Sequence, residues 1–171
     1  MTDFTYAVDA DGVATITWDV PSKSMNVMSM EGFAELNAHI DTALADAGVK
    51  GVIITSAKKD FAGGMDLNVI ARMREGGAQA IFDGVMQMHG VLRKIERAGM
   101  DAKTLKGAKP IVAALPGTAL GIGLELPLSC HRVIAADSGA FQTNFGFAPH
   151  GQWTGRLKNS GDRIELRDAA Y

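Results

Sequence analysis

The amino-acid sequence predicts an α/β fold in which a partly parallel sheet is joined by crossover helices. Three observations carry this expectation. Apolar runs at 49–56 (VKGVIITS), 109–116 (KPIVAALP) and 131–136 (HRVIAA) read as strands buried on both faces. Segments with helical periodicity separate them, giving the order strand, helix, strand, helix, strand, helix, strand. Finally, 171 residues, of which 47% are hydrophobic and 21% charged, suit one domain with a substantial core.

The chain opens with FTYAVDADGVATITWD (4–19), two alternating runs around an Asp-Gly pair, which is the pattern of a hairpin. VPSKSMNVMS is an irregular polar loop. In MEGFAELNAHIDTALADAG (30–48), Phe33, Leu36, Ile40 and Leu44 recur at helical spacing, and Gly48 follows as a stop. The strand at 49–56 leads into KKDFAGGMDL, a glycine turn that enters a helix at Leu67, with Asp66 placed to cap it. A longer helix is expected over 78–98, with Ile81, Val85, Met88, Leu92 and Ile95 on its apolar face and Met86 and Met88 in core or interface packing. After the strand at 109–116, GIGLELPLSC starts another helix and HRVIAA forms the last strand. From 138 to 171 neither period 2 nor period 3.6 is sustained, so this tail reads as loop-like or poorly ordered.

Composition excludes several classes of function. With 17 basic and 19 acidic residues, no nucleic-acid surface and no polybasic membrane face is expected. The lone Cys130 rules out an internal disulfide framework and reads as a small buried hydrophobe in a reducing compartment. The N-terminus lacks the basic-then-apolar pattern of a secretory signal. The apolar stretch 110–130 contains Glu125 and is punctuated by Pro110, Pro116 and Pro127, so it reads as strand plus helix and not as a membrane span. A cytoplasmic location follows as the expectation. His39, His89, His131 and His150 show neither metal-ligand spacing nor a triad pattern, so no metal is expected.

The chemistry concentrates in GTALGIGLEL (117–126). As a dinucleotide fingerprint it has Gly121 and Gly123, but Leu126 stands where a third glycine would allow close helix–strand packing. Oxyanion stabilisation fits better, because DFAGGMDL (60–67) is a second turn of the same kind. Each turn leaves a strand, passes through glycines and enters a helix, so each can offer free backbone N–H groups at the positive end of a helix dipole. Glu125, set among Leu124, Leu126, Pro127 and Leu128, is expected to be poorly solvated. A helix dipole favours an acid in the first turn, yet burying one is costly, and function is the better reason for it.

KKDFAGGMDL followed by KPIVAALPGTALGIGLELPLSCHRVIAAD resembles the enoyl-CoA hydratase/isomerase (crotonase) family, most of all the hydratase part of multifunctional fatty-acid oxidation α-subunits. The likeness covers about residues 4–137, and it implies a crotonase-like (ClpP/crotonase) fold. It also implies an acyl-CoA thioester substrate whose enolate is held between two backbone N–H groups, those of Gly63 and Ile122, with Glu125 as a catalytic carboxylate. Ile122 stands where many members have glycine; its β-branched side chain would restrict the turn and crowd the thioester. Lys23, Ser24, Asn26, Ala62, Gly64 and Asp66 fall on the substrate side. Lys58 and Lys59 flank the first turn, where they could meet CoA phosphates or stand as solvated surface charges. No redox or metal cofactor is implied, since CoA belongs to the substrate, and family members form homo-oligomers.

The resemblance stops near 137. The family's second catalytic glutamate lies about twenty residues after the first, whereas here Phe145 lies near that place and no glutamate occurs between Glu125 and Glu165. The chain is therefore expected to divide into a crotonase-like core at 1–137 and a divergent tail at 138–171, an atypical or truncated end. Hydration of a 2-enoyl-CoA in fatty-acid β-oxidation is the function expected first. The alternatives are double-bond isomerisation by a single carboxylate, or an acyl-CoA-binding or interaction fragment without turnover.

Overall fold

The computed structural model describes residues 2–136, together with the backbone of three residue pairs at 143–144, 158–159 and 164–165. The tail expected at 138–171 otherwise lies outside the described residues.

The hairpin forms as its pattern requires. Strand β1 (Phe4–Val8) runs antiparallel to β2 (Val13–Trp18), with Phe4 opposite Trp18 and Val8 opposite Ala14. Gly12, at φ +83°, closes the turn, in the left-handed region that favours glycine. Helix α1 (Met30–Ala45) begins at Ser29, whose hydroxyl accepts from the Gly32 N–H, and it buries Phe33, Leu36, Ile40 and Ala43. Strand β3 (Gly51–Ser56) then pairs parallel to β2.

Next come helix α2 (Leu67–Glu75), helix α3 (Gly77–Arg97) and strand β4 (Ile111–Leu115), which pairs parallel to β3. Strand β5 (Ala119–Leu120) and helix α4 (Ile122–Leu128) lead to β6 (Arg132–Ala135), parallel to β4. The main sheet has the order β1-β2-β3-β4-β6: one antiparallel hairpin pair and three parallel ones, each parallel pair joined by a helical crossover. Beyond residue 136, β7 (Thr143–Asn144) pairs parallel to β5, and β8 (Lys158–Asn159) pairs antiparallel to β9 (Ile164–Glu165).

Two expectations need correcting. The buried face of α3 runs through Gly84, Val91 and Ile95, with Met88 and Leu92 half-buried, while Ile81 is 40% exposed. The reason is Gly84: the Met73 side chain of α2 lies where a β-carbon at Gly84 would stand, so the smallest residue, not the largest, marks the inward side. Strand β6 is not buried on both faces either. Among the described residues it pairs in the main sheet only with β4, and Ile134 is 59% exposed.

The core gathers where β2, β3 and β4 meet α1. Phe4 stacks on Trp18 with ring centroids 5.3 Å apart, and Phe61 meets the same indole edge-on at 5.8 Å. Phe61 is fully buried, which roots the first glycine turn in this aromatic cluster.

Candidate functional site

The two glycine turns lie against each other beyond the carboxyl ends of β3 and β4. The Ala62 N–H donates to the Thr118 carbonyl at 3.1 Å, and the Leu120 N–H donates to the Ala62 carbonyl at 3.0 Å. A β-carbon at Gly123 would come within 2.6 Å of the Ala62 β-carbon, and one at Gly64 within 3.3 Å of the Leu120 carbonyl oxygen. Gly64 has φ +98° and Gly121 φ +52°, so both need glycine for their backbone conformation as well. Asp60 joins the turns from the side: its Oδ1 accepts the Thr118 N–H at 2.9 Å. That bond from the Thr118 backbone, with a second from the Thr118 side chain, holds the Asp60 carboxyl below the ordinary aspartate value.

The N–H groups of the first turn are differently committed. Gly63, expected as an oxyanion donor, gives its N–H to the Asn26 carbonyl at 2.8 Å, which corrects that expectation. The Met28 N–H donates to the Gly64 carbonyl at 2.8 Å and the Asp66 N–H to the Met28 carbonyl at 2.9 Å, so this segment runs as a short parallel bridge to the loop. Alternation along an extended chain then turns the Met65 N–H away from that loop. It has no acceptor among the described residues. In the second turn, Ile122 is the first residue of α4, and its N–H likewise has no acceptor among the described residues.

The Ile122 side chain is 7% exposed and belongs to the core, so it packs inward where the sequence suggested crowding of a ligand. Glu125 departs from the other expectation. Its neighbours Leu124 and Leu126 are buried, but Glu125 itself is exposed. On a seven-residue helix with one face against Ala62, position 125 lies on the outer side. Its carboxylate is solvated, so the cost of burial does not account for it.

The remaining expected residues divide by what holds them. Asp66 caps α2 through the Asn68 N–H at 2.8 Å, and its other oxygen pairs with the Lys23 ammonium at 3.1 Å. The Asn68 N–H, ahead of Lys23, holds its carboxyl below the ordinary value. Ser24 is exposed, and Ala62 is buried between the turns. Asn26 is wholly buried, with its side-chain amide bonded to protein groups. Lys58 pairs with Asp19 at 2.7 Å, and Lys59 is exposed. Cys130 is half-buried, and burial pushes its thiol up to about 12. Among the described residues, no group of three or more His, Cys, Asp or Glu side chains could hold a metal. No helix among them is long and apolar enough to cross a membrane.

Two contributors were absent from the expectations drawn from sequence: Met65, as the residue with the uncommitted N–H, and Asp60, as the tie between the turns. The acid immediately before the buried Phe61 was the available signal for Asp60.

The chain matches the family model described as enoyl-CoA hydratase/isomerase over residues 9–163. It is 32% identical over 154 residues to a fatty acid oxidation complex subunit alpha from Shewanella oneidensis, covering 86% of this chain and 20% of that protein. It therefore spans about a fifth of the length of such relatives. Among solved structures it is similar to an enoyl-CoA hydratase/isomerase from Xanthobacter autotrophicus, with TM-score 0.67 and 29% identity, covering 84% of this chain and 49% of that one. An enoyl-CoA hydratase from Bacillus anthracis gives TM-score 0.69 at 25% identity, over 84% of this chain and 50% of that one. The fold is crotonase-like, and the chain belongs to the enoyl-CoA hydratase/isomerase family.

Proposed function

We propose that this chain hydrates a 2-enoyl-CoA thioester in fatty-acid oxidation, with the Met65 and Ile122 N–H groups holding the enolate oxygen and Glu125 as the acid–base group. The observation that carries this reading is the contact of the two glycine turns, which sets two uncommitted N–H groups beside one helix bearing a single carboxylate. Two such donors suit a thioester carbonyl that gains negative charge, and each contributes about 3 kcal/mol in the transition state. As the water oxygen bonds to C3, Glu125 takes its proton. The C2=C3 pair moves into the enolate, and the carboxyl returns the proton to C2. Lys23 and Lys59, both exposed, are proposed to meet the CoA phosphates, while Lys58 is already paired with Asp19. No redox or metal group enters this scheme.

Double-bond isomerisation is the second reading, favoured by one observation: the sequence holds no glutamate between Glu125 and Glu165. A single base can move a proton between C2 and C4 of the same enolate. The experiment uses crotonyl-CoA and a 3-enoyl-CoA, followed by the absorbance of the conjugated thioester, with Glu125→Gln alongside. Loss of absorbance from crotonyl-CoA marks hydration, and gain from the 3-enoyl-CoA marks isomerisation. Hydration is expected to fall at least about 100-fold in Glu125→Gln. Turnover unchanged in that variant would falsify the role of Glu125, and no turnover of either thioester leaves a binding fragment.

A further inference from the structure

Asn26 is wholly buried, and it is the single buried polar side chain among the described residues. Its Oδ1 accepts the Val20 N–H at 2.9 Å. Its Nδ2 donates toward the Trp18 carbonyl at 3.0 Å, the Ser56 hydroxyl at 2.9 Å and the Phe61 carbonyl at 3.1 Å. Its own backbone carbonyl accepts the Gly63 N–H. One residue therefore touches the end of β2, the end of β3 and both sides of the first glycine turn.

The other fastenings of the loop lie elsewhere. The Met28 N–H holds the Gly64 carbonyl, in the same planar peptide as the Met65 N–H, and the Met28 carbonyl holds Asp66, while the ring contacts of Phe4, Trp18 and Phe61 form without the Asn26 side chain. Between Phe61 and Gly63, among the described residues, both bonds to the loop end on Asn26. The peptides there lead directly to Met65, whose N–H must be aimed to within about 0.5 Å and 10–20° to serve a developing oxyanion.

We propose that Asn26 is a positioning residue: it does not touch the thioester, and by anchoring Phe61 and Gly63 it fixes the backbone on which the Met28–Gly64 bond aims the Met65 N–H. This rests on the oxyanion reading of the two turns. Removing the amide would leave the Phe61 carbonyl without its buried donor and let the turn tilt, weakening the enolate contact more than ground-state binding.

The test compares the full chain with Asn26→Asp and Asn26→Ala. Asn26→Asp keeps an acceptor for Val20 and nearly the same volume but loses the Nδ2 donors. Three readouts are taken: thermal unfolding, kcat and KM for crotonyl-CoA, and the ultraviolet enolate band of bound acetoacetyl-CoA. The expected result is a folded Asn26→Asp chain whose kcat falls about 100-fold, the effect of losing one oxyanion donor. Its KM stays within about twofold, and its enolate band weakens. A folded variant with wild-type kcat and a full enolate band overturns the proposal, and so does unfolding of both variants, which would make Asn26 a stability residue alone. Failure of the underlying reading looks different: the wild-type chain itself then shows neither turnover nor an enolate band, and Asn26 has no site to position.

Discussion

The turn at 60–66 is fastened to the loop before α1 by hydrogen bonds, whereas the turn at 117–123, bonded to the first through Thr118 and Leu120, sits against it only because key positions lack side chains. In the first, the Phe61 carbonyl, the Gly63 N–H and the Gly64 carbonyl all have partners in the loop that precedes α1. In the second, Gly117 lies so close to the Lys59 carbonyl and the Asp60 carboxylate that a β-carbon would come within 2.6 and 2.8 Å of them, and Gly123 is as close to Ala62. Hydrogen bonds give the first turn direction, and close backbone approach gives the second its place against the first. An oxyanion site needs both properties, one donor aimed and the other brought near. The two turns should therefore fail differently when altered.

The largest effect is expected from Gly123→Ala. The added methyl meets the Ala62 β-carbon at 2.6 Å and the Ala62 carbonyl oxygen at 3.2 Å, so the turns must separate. Overpacking of this kind costs about 1–3 kcal/mol. Displacing the Ile122 N–H should lower kcat/KM for crotonyl-CoA by about 100-fold. Gly90→Ala is the control, because a β-carbon there meets nothing within 4 Å and the residue lies inside α3. It should stabilise the chain by roughly 0.5–1 kcal/mol through helix propensity and leave turnover unchanged. Equal activity of the two variants in a crotonyl-CoA assay would remove the steric role of the second turn.

Period and punctuation made much of the fold legible. The hairpin, the α1 stripe from Phe33 to Ile40, the cap at Asp66 and the parallel order of strands each follow from local pattern. What escaped depends on contacts between distant segments. That the Gly63 N–H is taken by Asn26 is a property of a loop 37 residues earlier in the chain. The α3 face was misjudged because periodicity counts large apolar residues, while Gly84 faces inward to receive Met73. Glu125 looked buried from its apolar neighbours, but a helix turns adjacent residues by about 100°, so a solvated acid can sit between two buried leucines. Resemblance to the family suggested the chemistry, and the structure shows the Gly63 N–H taken and the Met65 N–H without an acceptor among the described residues.

A smaller effect tests the tie between the turns. Because the Asp60 pKa is lowered on folding, its contribution to stability is full above the unfolded value of 3.8 and is lost as pH falls through the folded value. Asp60→Asn keeps an oxygen acceptor for the Thr118 N–H but not its charge. Wild type should therefore exceed Asp60→Asn by about 1 kcal/mol at neutral pH. The gap should narrow as pH drops below 3.8. Urea unfolding of both chains across that range measures it, and a gap independent of pH would show that the Thr118 bond does not depend on the Asp60 charge.

Lys23→Ala should have the smallest effect, and it bears on how the loop meets a ligand. The ammonium lies 3.1 Å from Asp66, with the lysine side chain 46% exposed, so solvent screens the pair. Its loss should cost about 0.5 kcal/mol or less. Asp66 keeps its bond to the Asn68 N–H, so α2 stays capped. If the pair with Asp66 is the whole role of Lys23, KM for a CoA thioester changes by no more than about twofold, the equivalent of that energy. If Lys23 leaves Asp66 to meet a CoA phosphate, KM rises further in Lys23→Ala, kcat holds, and added salt weakens binding in wild type more than in the variant. Salt acts on an exposed lysine and a phosphate, while the Asn26 bonds beneath are buried and unscreened, so the same titration separates the outer surface of the first turn from its interior.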